Sequence, residues 1–268
     1  MPRYLAVLEY DGTDFCGSQR QARERSVQGD VERALQALTD KDEKVRIAFA
    51  SRTDKGVHAR GQVIGFDLRR MMPEAKVTQA LNGLLPRDVS VREAVEIVAE
   101  FNPRRWAVSR RYSYYILNRA HRSALLDRYV WHLPHLLDLE AMREAGESLV
   151  GCHDFGAFGR PPQGDNTWRT VSRLAIDSED CKVRIVLEAD AFLRRMVRLI
   201  VGALVDVGRR KMRADSVQLL LDGKSKQPQS AAAPAKGLVL EGVAYERQRL
   251  GKGTGLWWSC DPLTTTCS

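Results

Sequence analysis

One segment of the sequence, residues 52–63, holds most of the side chains that could do chemistry. It lies between two apolar, strand-like runs, 45–50 and 63–68, where neither charges nor glycines are needed. The segment contains one carboxylate, Asp54, together with two glycines and four side chains that are cations or can become cations. A carboxylate two residues after an arginine, with glycines that allow close backbone approach, predicts a functional site.

A carboxylate in a water-poor pocket stays ionised only when a cation lies close to it. Arg198 is a candidate for that cation, because it lies in a predicted helix, residues 192–207, at the margin of the apolar face. From that position its buried stem would let the guanidinium reach a cleft. The alternative, an arginine that only faces solvent, suits Arg194 or Arg195 better. For Asp54 itself, the alternative is a turn cap ahead of a glycine.

The apolar periodicity of the chain predicts the elements that must position these side chains. In the first part of the chain it predicts strands at 4–10, 45–50, 63–68 and 89–98, and helices after Ser26 and at 77–85. In the second part it predicts strands at 109–118, 171–177, 182–189 and 237–246, and helices at 139–149 and 192–207. Both parts have the order βαββαβ, which indicates an internal structural duplication of the split βαβ type.

The predicted class is therefore α+β, with two ferredoxin-like βαββαβ halves around a mainly antiparallel sheet. The first half, 1–104, carries Asp54, and the second half comprises residues 105–246. Residues 223–236 are of low complexity and are predicted to form a surface loop or the edge of a lid. In the tail, 247–268, the apolar periodicity disappears, which predicts disorder.

The charge of the chain favours a polyanionic partner, with a formal net charge of +8 and a pI near 9.4. Basic residues recur at the ends of predicted elements and beside Trp106, Tyr112 and Trp168, which favours a groove that follows nucleic-acid phosphates. Any single cluster of this kind is usually a solvated face. The clusters lie at residues 104–105, 110–111, 119–122, 194–198 and 209–211.

Several classes of protein are disfavoured by the sequence. The five cysteines are scattered without a Cys-x-x-Cys pair, which is typical of reduced thiols in the cytoplasm. His132 and His135 lack suitable companion ligands, so we expect no metal and no cofactor. The sequence enters a strand pattern directly after Met1, so no signal peptide is expected. No apolar run approaches the length that crosses a bilayer, so we expect a cytoplasmic protein without a membrane partner.

Five motifs, in the right order, resemble those of the tRNA pseudouridine synthase A family. The most specific is the segment at 52–63, which resembles the catalytic Arg-Thr-Asp-Ala-Gly-Val-His motif followed by Gly-Gln-Val. The resemblance covers residues 4–246, and five ordered motifs are far more specific than a lone Arg-Thr-Asp. The other four motifs are Tyr10-Asp11-Gly12-Thr13, Val27-Gln28, Arg111-Tyr112-Ser113-Tyr114 and Met196-Val197-Arg198.

The resemblance implies the pseudouridine synthase fold with a central cleft between the halves, and the conversion of uridine to pseudouridine. In this reaction the C–N bond between base and sugar breaks, the uracil turns, and its C5 joins the same sugar carbon. The reaction needs a carboxylate at the sugar, a dry pocket that retains the loose base, and extraction of the nucleotide from its stack. It needs no redox agent and no energy source.

The resemblance also implies a role for each candidate residue. Asp54 matches the catalytic aspartate, which acts either as a nucleophile at the sugar carbon or as a base that removes a sugar proton. Arg198 matches the arginine that pairs with this aspartate, and Arg52 matches a residue that pushes out or holds the target nucleotide. Tyr112 matches a tyrosine that packs against the target uracil, where stacking contributes ~1–3 kcal/mol. The alternative for Tyr112 is that it is merely a good strand former.

By the same resemblance the substrate is the anticodon stem-loop of tRNA, at positions 38, 39 and 40, and the protein is a homodimer in which one tRNA touches both subunits. One alternative is a non-catalytic RNA-binding protein or RNA chaperone on the same fold, which would not need Asp54. A second is a glycosidase-like hydrolase, but that chemistry usually uses two carboxylates that flank the bond. No second acidic residue lies in a comparable motif.

The sequence departs from the family pattern at four places. Ser51 stands where the family has glycine, Lys55 where it has alanine, and Ser18 where it has tryptophan. Asn102 and Pro103 stand where it has histidine and alanine. Lys55 adds a cation beside Asp54, so the choice of substrate is left open, but no departure removes a candidate catalytic group.

Overall fold

A computed structural model describes residues 1–39, 44–223, 230–246 and 250 of the chain. Its internal contacts divide the chain into two compact units. Among the described residues, the first unit contains those of Met1–Arg110 and those from Leu240 onward, and the second contains those of Arg111–Val239. The halves predicted from the sequence, 1–104 and 105–246, stay a prediction. Most of the predicted tail, residues 247–249 and 251–268, lies outside the described residues.

The first unit has the order βαββαβ, as its periodicity predicts. Its central strand, β1, pairs antiparallel with β3 on one side and with β4 on the other, so that Val7 lies opposite both Val63 and Glu93. The short β2 pairs with β3, and residues 240–245 of a late strand lie next to β3. The elements are β1 (Arg3–Tyr10), α1 (Val27–Gln36), β2 (Ala48–Phe49), β3 (His58–Asp67), α2 (Glu74–Leu84), β4 (Val89–Ile97) and the late strand β10 (Leu238–Tyr245).

The second unit has a similar order with additional short elements. Its strands β7, β8 and β9 form an antiparallel meander, and β9 lies next to β5, with which β6 pairs in parallel. The helix α4 is apolar nearly all round, and its core residues Ile200 and Leu204 are completely buried. The elements are β5 (Ala107–Asn118), β6 (Trp131–Leu133), α3 (Leu139–Glu147), β7 (Gly151–Asp154), β8 (Trp168–Glu179), β9 (Lys182–Ala189), α4 (Met196–Gly208) and α5 (Asp215–Leu221).

The predicted helix starts hold where a capping residue is present. The side-chain oxygen of Ser26 accepts a hydrogen bond from the backbone N–H of Gly29 at 3.2 Å, so α1 begins directly after Ser26 as predicted. The helix predicted at 192–207 begins instead at Met196. Its preceding residue, Arg195, adopts a left-handed backbone conformation with φ of 63°, which the apolar pattern of the sequence does not reveal.

Other differences from the prediction concern short elements. The strand predicted at 45–50 is only Ala48–Phe49, because Val45 and Ile47 are buried in irregular chain rather than in a ladder. The elements β6, β7 and α5 were not predicted, since three to seven residues are too few to show a period. The α+β class and the mostly antiparallel pairing are confirmed. Within the described residues, no helix is long and apolar enough to cross a membrane.

Candidate active site

Asp54 lies in the loop between β2 and β3 of the first unit and is half-buried. Its backbone carbonyl oxygen accepts a hydrogen bond from the N–H of Val57 at 3.2 Å, which closes a four-residue turn. Gly56 occupies the third position of this turn with φ of 76°, a conformation that glycine adopts without strain. Asp54 therefore does begin a turn, and this turn holds its backbone fixed where the chain enters β3.

The residue before Asp54 is held by two side chains from other parts of the first unit. The backbone N–H of Thr53 donates a hydrogen bond to the hydroxyl oxygen of Ser18 at 2.9 Å, and the backbone N–H of Ser18 donates to the carbonyl oxygen of Thr53 at 3.1 Å. The hydroxyl groups of Thr53 and Tyr10 lie 2.8 Å apart, in hydrogen-bond contact. All three side chains are buried, so these bonds fix the loop in a setting with little competition from water.

A second brace comes from Gln62, a fully buried residue of β3. Its side-chain amide donates a hydrogen bond to the carbonyl oxygen of Ser51 at 2.8 Å, and its amide oxygen accepts one from the N–H of Ser51 at 3.3 Å. The same amide group donates to the hydroxyl of Tyr10 at 3.3 Å. The Gly-Gln-Val part of the motif thus holds the start of the loop that carries Asp54.

The loop after β1 packs closely against the other end of this turn. The backbone N–H of Gly12 donates a hydrogen bond to Nδ1 of His58 at 3.0 Å. A Cβ atom at Gly12 would lie 2.0 Å from the carbonyl oxygen of Val57, so only glycine allows this approach. The N–H of Gly56 donates to the carbonyl oxygen of Phe15 at 3.3 Å. The Tyr10-Asp11-Gly12-Thr13 motif and the segment at 52–63 therefore pack against each other around Asp54.

Two exposed cations flank Asp54, namely Arg52 and Lys55.

Ser18, which stands at a family tryptophan position, is one of the residues that brace the loop of Asp54. Neither the period nor the charge pattern of the sequence identifies Ser18 as a positioning residue. The signal that was available is its place in the segment after the Tyr10-Asp11-Gly12-Thr13 motif.

The other two predicted site residues, Tyr112 and Arg198, belong to the second unit. Tyr112 lies in β5, is buried, and contacts the ring of Phe192 edge-to-face with a centroid distance of 5.2 Å. The helix predicted at 192–207 would include Phe192, but this residue lies in the segment that precedes α4 and packs against the tyrosine from there.

Arg198 lies in the first turn of α4 and is half-buried. Its Nε donates a hydrogen bond to the carbonyl oxygen of Ala233 at 2.7 Å, and the N–H of Ala233 donates to the carbonyl oxygen of Arg198 at 2.9 Å. One turn further along the helix, a Cβ atom at Gly202 would lie 2.2 Å from the carbonyl oxygen of Ala231. The segment 231–233 thus lies directly on the helix and fixes the stem of Arg198.

Tyr114 binds the next residue of the same segment. Its hydroxyl donates a hydrogen bond to the carbonyl oxygen of Pro234 at 2.7 Å. Burial raises the pKa of the Tyr114 hydroxyl, and the positive charge of Arg198 partly offsets that rise. Tyr114 thus anchors the chain that packs against Arg198.

The basic clusters seen in the sequence have different roles in the structure. Arg110 is buried and donates hydrogen bonds to the carbonyl oxygens of Arg104 at 2.8 Å, Ala107 at 3.1 Å and Ala50 at 3.4 Å. Its neighbour Arg111 forms an ion pair with Glu188 at 2.9 Å. The prediction that this cluster faces a phosphate groove is wrong for Arg110, because its guanidinium is enclosed by backbone.

The described residues contain no group of three or more histidine, cysteine or acidic side chains that could hold a metal ion.

Comparison with known proteins assigns the chain to a family. A family model described as tRNA pseudouridine synthase matches residues 6–103 and 145–246. The chain belongs to the tRNA pseudouridine synthase family. The matched ranges include Asp54 and Arg198, whereas Tyr112 lies between them.

Curated relatives of this family are similar over most of their length. A protein named tRNA pseudouridine synthase A from Acetivibrio thermocellus is 40% identical over 240 residues, which cover 89% of this chain and 98% of the relative. Proteins of the same name from Myxococcus xanthus and from a Caulobacter species are 42% and 41% identical over 247 and 248 residues. These alignments cover 91% and 92% of this chain, and 92% and 99% of the relatives.

Proposed function

We propose that this chain isomerises uridine to pseudouridine in the anticodon stem-loop of tRNA, with Asp54 as the catalytic carboxylate. The observation that carries the proposal is the family match, which spans the loop of Asp54 and the helix of Arg198. The packing of the Asp54 loop supports it, because a reacting group must be held in one geometry by residues that are themselves fixed.

The reaction is an isomerisation, so every atom of the uridine is retained. The bond between N1 and the sugar carbon C1′ breaks, the uracil turns, and C5 forms a new bond to C1′. C5 then loses its proton, and the former N1 position gains one. Asp54 acts at the sugar, either by attack on C1′ or by removal of a sugar proton, and both routes require the ionised carboxylate.

Arg198 and Arg52 supply positive charge in this proposal. By the family motif Arg198 pairs with the carboxylate of Asp54, and the hydrogen bonds between Arg198 and Ala233 restrict where its guanidinium can lie. Arg52 is exposed, which suits a side chain that holds or displaces the target nucleotide. Tyr112 retains the detached uracil by stacking, which contributes ~1–3 kcal/mol in other base–aromatic contacts.

The test is pseudouridine formation in unmodified tRNA by the purified protein and by Asp54→Asn. We expect the wild type to convert uridines of the anticodon stem-loop, mapped by chemical labelling and primer extension. Because the amide can neither attack nor accept a proton, we expect Asp54→Asn to lose activity by roughly 10³-fold or more. Retained activity in this variant would overturn the assignment of Asp54.

Asp177→Asn is a matched control, because it makes the same chemical change at an exposed position on β8. We expect the control to keep wild-type activity. The thermal unfolding midpoints of both variants should lie near that of the wild type, which would exclude a loss of activity through unfolding.

Three finer properties complete the proposal and come from the family resemblance. The modified positions are 38, 39 and 40 of the tRNA, the working form is a homodimer, and the protein acts in the cytoplasm. Mapping each uridine of the product tRNA tests the first. Light scattering of the purified protein with and without tRNA tests the second, and a monomer under both conditions would contradict it. Fractionation of cells that express a tagged chain tests the third.

A further inference from the structure

The second unit contains a cavity of about 510 Å³ that has no role in the chemistry described so far. Three arginines line it, Arg160 from the loop before β8, and Arg194 and Arg195 from the segment before α4. All three side chains are exposed to solvent. Ala157 and Leu199 add apolar surface to the same wall. The cavity therefore combines concentrated positive charge with a small apolar area.

Backbone contacts bring these distant parts of the sequence together. The N–H of Arg194 donates a hydrogen bond to the carbonyl oxygen of Arg160 at 2.9 Å, so the two residues form an isolated antiparallel bridge. A Cβ atom at Gly159 would lie 2.7 Å from the carbonyl oxygen of Arg194 and 2.8 Å from Cβ of Leu193. Glycine at this position therefore allows the crossing that places the arginines around one cavity.

The backbone at Arg195 is unusual for an arginine. Its φ of 63° lies in the left-handed region, which a residue with a side chain adopts at a cost in free energy. Glycine would adopt this conformation without that cost. The presence of arginine at the position therefore suggests that the side chain contributes something other than stability.

The three guanidinium groups around the cavity have no charge partner of their own among the described residues. Within the part of the chain that the structure describes, no ion pair or side-chain hydrogen bond is formed by Arg160, Arg194 or Arg195. Like charges around one cavity repel each other, and a bound anion would remove that repulsion. Some other exposed or partly exposed arginines of the unit are paired, such as Arg111 with Glu188, Arg210 with Asp138 and Arg213 with Asp215.

We propose that this cavity binds a phosphate group of the tRNA backbone. The inference rests on the proposed function, since it assigns a contact for the substrate of that reaction. Arginine donates two parallel hydrogen bonds to a phosphate, and three arginines can surround one group from several sides. The volume exceeds that of a phosphate alone, so the attached ribose lies against Ala157 and Leu199. Binding of this kind fixes the position of the RNA and does not depend on its sequence.

The test compares Arg160→Gln, Arg195→Gly and the double variant with the wild type, in the full-length protein. The measurement is the dissociation constant for unmodified tRNA over a series of KCl concentrations. We expect each single change to weaken binding by roughly tenfold at low salt. We also expect the slope of log K against log [KCl] to fall by roughly 1 for each lost phosphate contact. The kcat at saturating tRNA should stay unchanged, because the arginines contact only the backbone of the substrate.

Arg195→Gly separates binding from folding, because it removes the guanidinium and also relieves the left-handed backbone. We expect its thermal unfolding midpoint to equal or exceed that of the wild type while its tRNA binding is weaker. Arg213→Gln is the matched control, since it removes an exposed arginine of the same unit that is paired with Asp215. We expect its salt slope to equal that of the wild type.

Three results would overturn the proposal. The first is an unchanged dissociation constant and salt slope in the double variant, and the second is an equal change in Arg213→Gln. The third is displacement of tRNA from the wild type by a mononucleotide as effectively as by an RNA stem-loop of equal phosphate concentration, which would identify a free-phosphate site. The proposed function fails separately, if the wild type makes no pseudouridine while the variants still show the altered salt slope.

Discussion

Each unit of the molecule contains a buried tyrosine that is anchored to a proline and has an arginine near it. In the first unit the hydroxyl of Tyr245 donates a hydrogen bond to the carbonyl oxygen of Pro103. In the second unit the hydroxyl of Tyr114 donates to that of Pro234, and both oxygen–oxygen distances are 2.7 Å. Burial raises the pKa of both hydroxyl groups, and a neighbouring arginine partly offsets the rise.

The two arginines differ in what they can still do. Arg110, near Tyr245, is only 7% exposed, and its guanidinium donates to three backbone carbonyl oxygens. Arg198, near Tyr114, is half-buried and lies within the residues that the family model matches. The comparison teaches that the number of arginines in a sequence cluster says little about substrate contact. Burial separates an arginine that holds the fold from one that can also serve a site.

The largest expected effect is a loss of kcat that distinguishes Arg198 from Arg110. Arg198→Gln should lower kcat by roughly 10² to 10³-fold with a small loss of stability, because it removes a positive charge from the proposed site. Arg110→Gln should leave the kcat of folded protein unchanged and lower the free energy of unfolding by roughly 1.5–3 kcal/mol, because buried carbonyl groups lose their donor. Single-turnover assays and urea denaturation measure the two quantities. Equal effects on kcat would show that the two arginines do not differ in role.

The next prediction concerns two glycines, Gly202, which packs against Ala231 in the segment before Pro234, and Gly65, which packs against Pro103. In Gly202→Ala the new Cβ atom would lie 2.2 Å from a backbone oxygen of Ala231, so we expect a loss of roughly 1–3 kcal/mol in the free energy of unfolding. In Gly65→Ala the nearest atom is Cδ of Pro103 at 3.2 Å, and a small shift relieves the contact. We expect a loss below about 1 kcal/mol for this matched variant. Chemical denaturation of both variants checks the order.

A smaller effect should come from the hydroxyl groups themselves. Tyr114→Phe and Tyr245→Phe each remove one hydrogen bond and leave a proline carbonyl without its donor, so we expect each to cost about 1 kcal/mol. Only Tyr114→Phe should also lower kcat, by a few-fold, since its segment packs on Arg198. A fall in kcat for Tyr245→Phe and not for Tyr114→Phe would contradict the assignment of the site arginine to the segment that Tyr114 anchors.

The smallest effect is confined to alkaline pH. Above pH about 10 the tyrosines of the unfolded chain lose their protons, whereas the folded chain keeps those of Tyr114 and Tyr245 because their pKa values are raised. The unfolded state then binds fewer protons, so stability must fall as the pH rises. The fall should be shallower in each phenylalanine variant, by at most roughly 1.4 kcal/mol per pH unit. Unfolding midpoints between neutral and alkaline pH measure this slope.

The sequence alone determined most of the regular elements and the segment that carries Asp54. Alternation and helical periods are local properties, so β1, α1, α2, β4, β8 and β9 could be predicted within a few residues. The residues 52–63 stood out because their charges and glycines interrupt an apolar pattern. The assignment of Tyr112 and Arg52 to the site came from the family motifs, and that of Arg198 also from its place in a predicted helix. All three assignments stay predictions.

Only the tertiary structure decided which polar side chains hold the loop and which arginines share a cavity. The contact of Ser18 with Thr53 joins residues 35 positions apart, and neither residue has a local signal that names the other. Arg160 and Arg194 meet because Gly159 permits a close backbone crossing, and Arg195 faces the same cavity from a left-handed residue. Such contacts depend on how the chain packs in three dimensions, and the period of a sequence carries no information about distant partners.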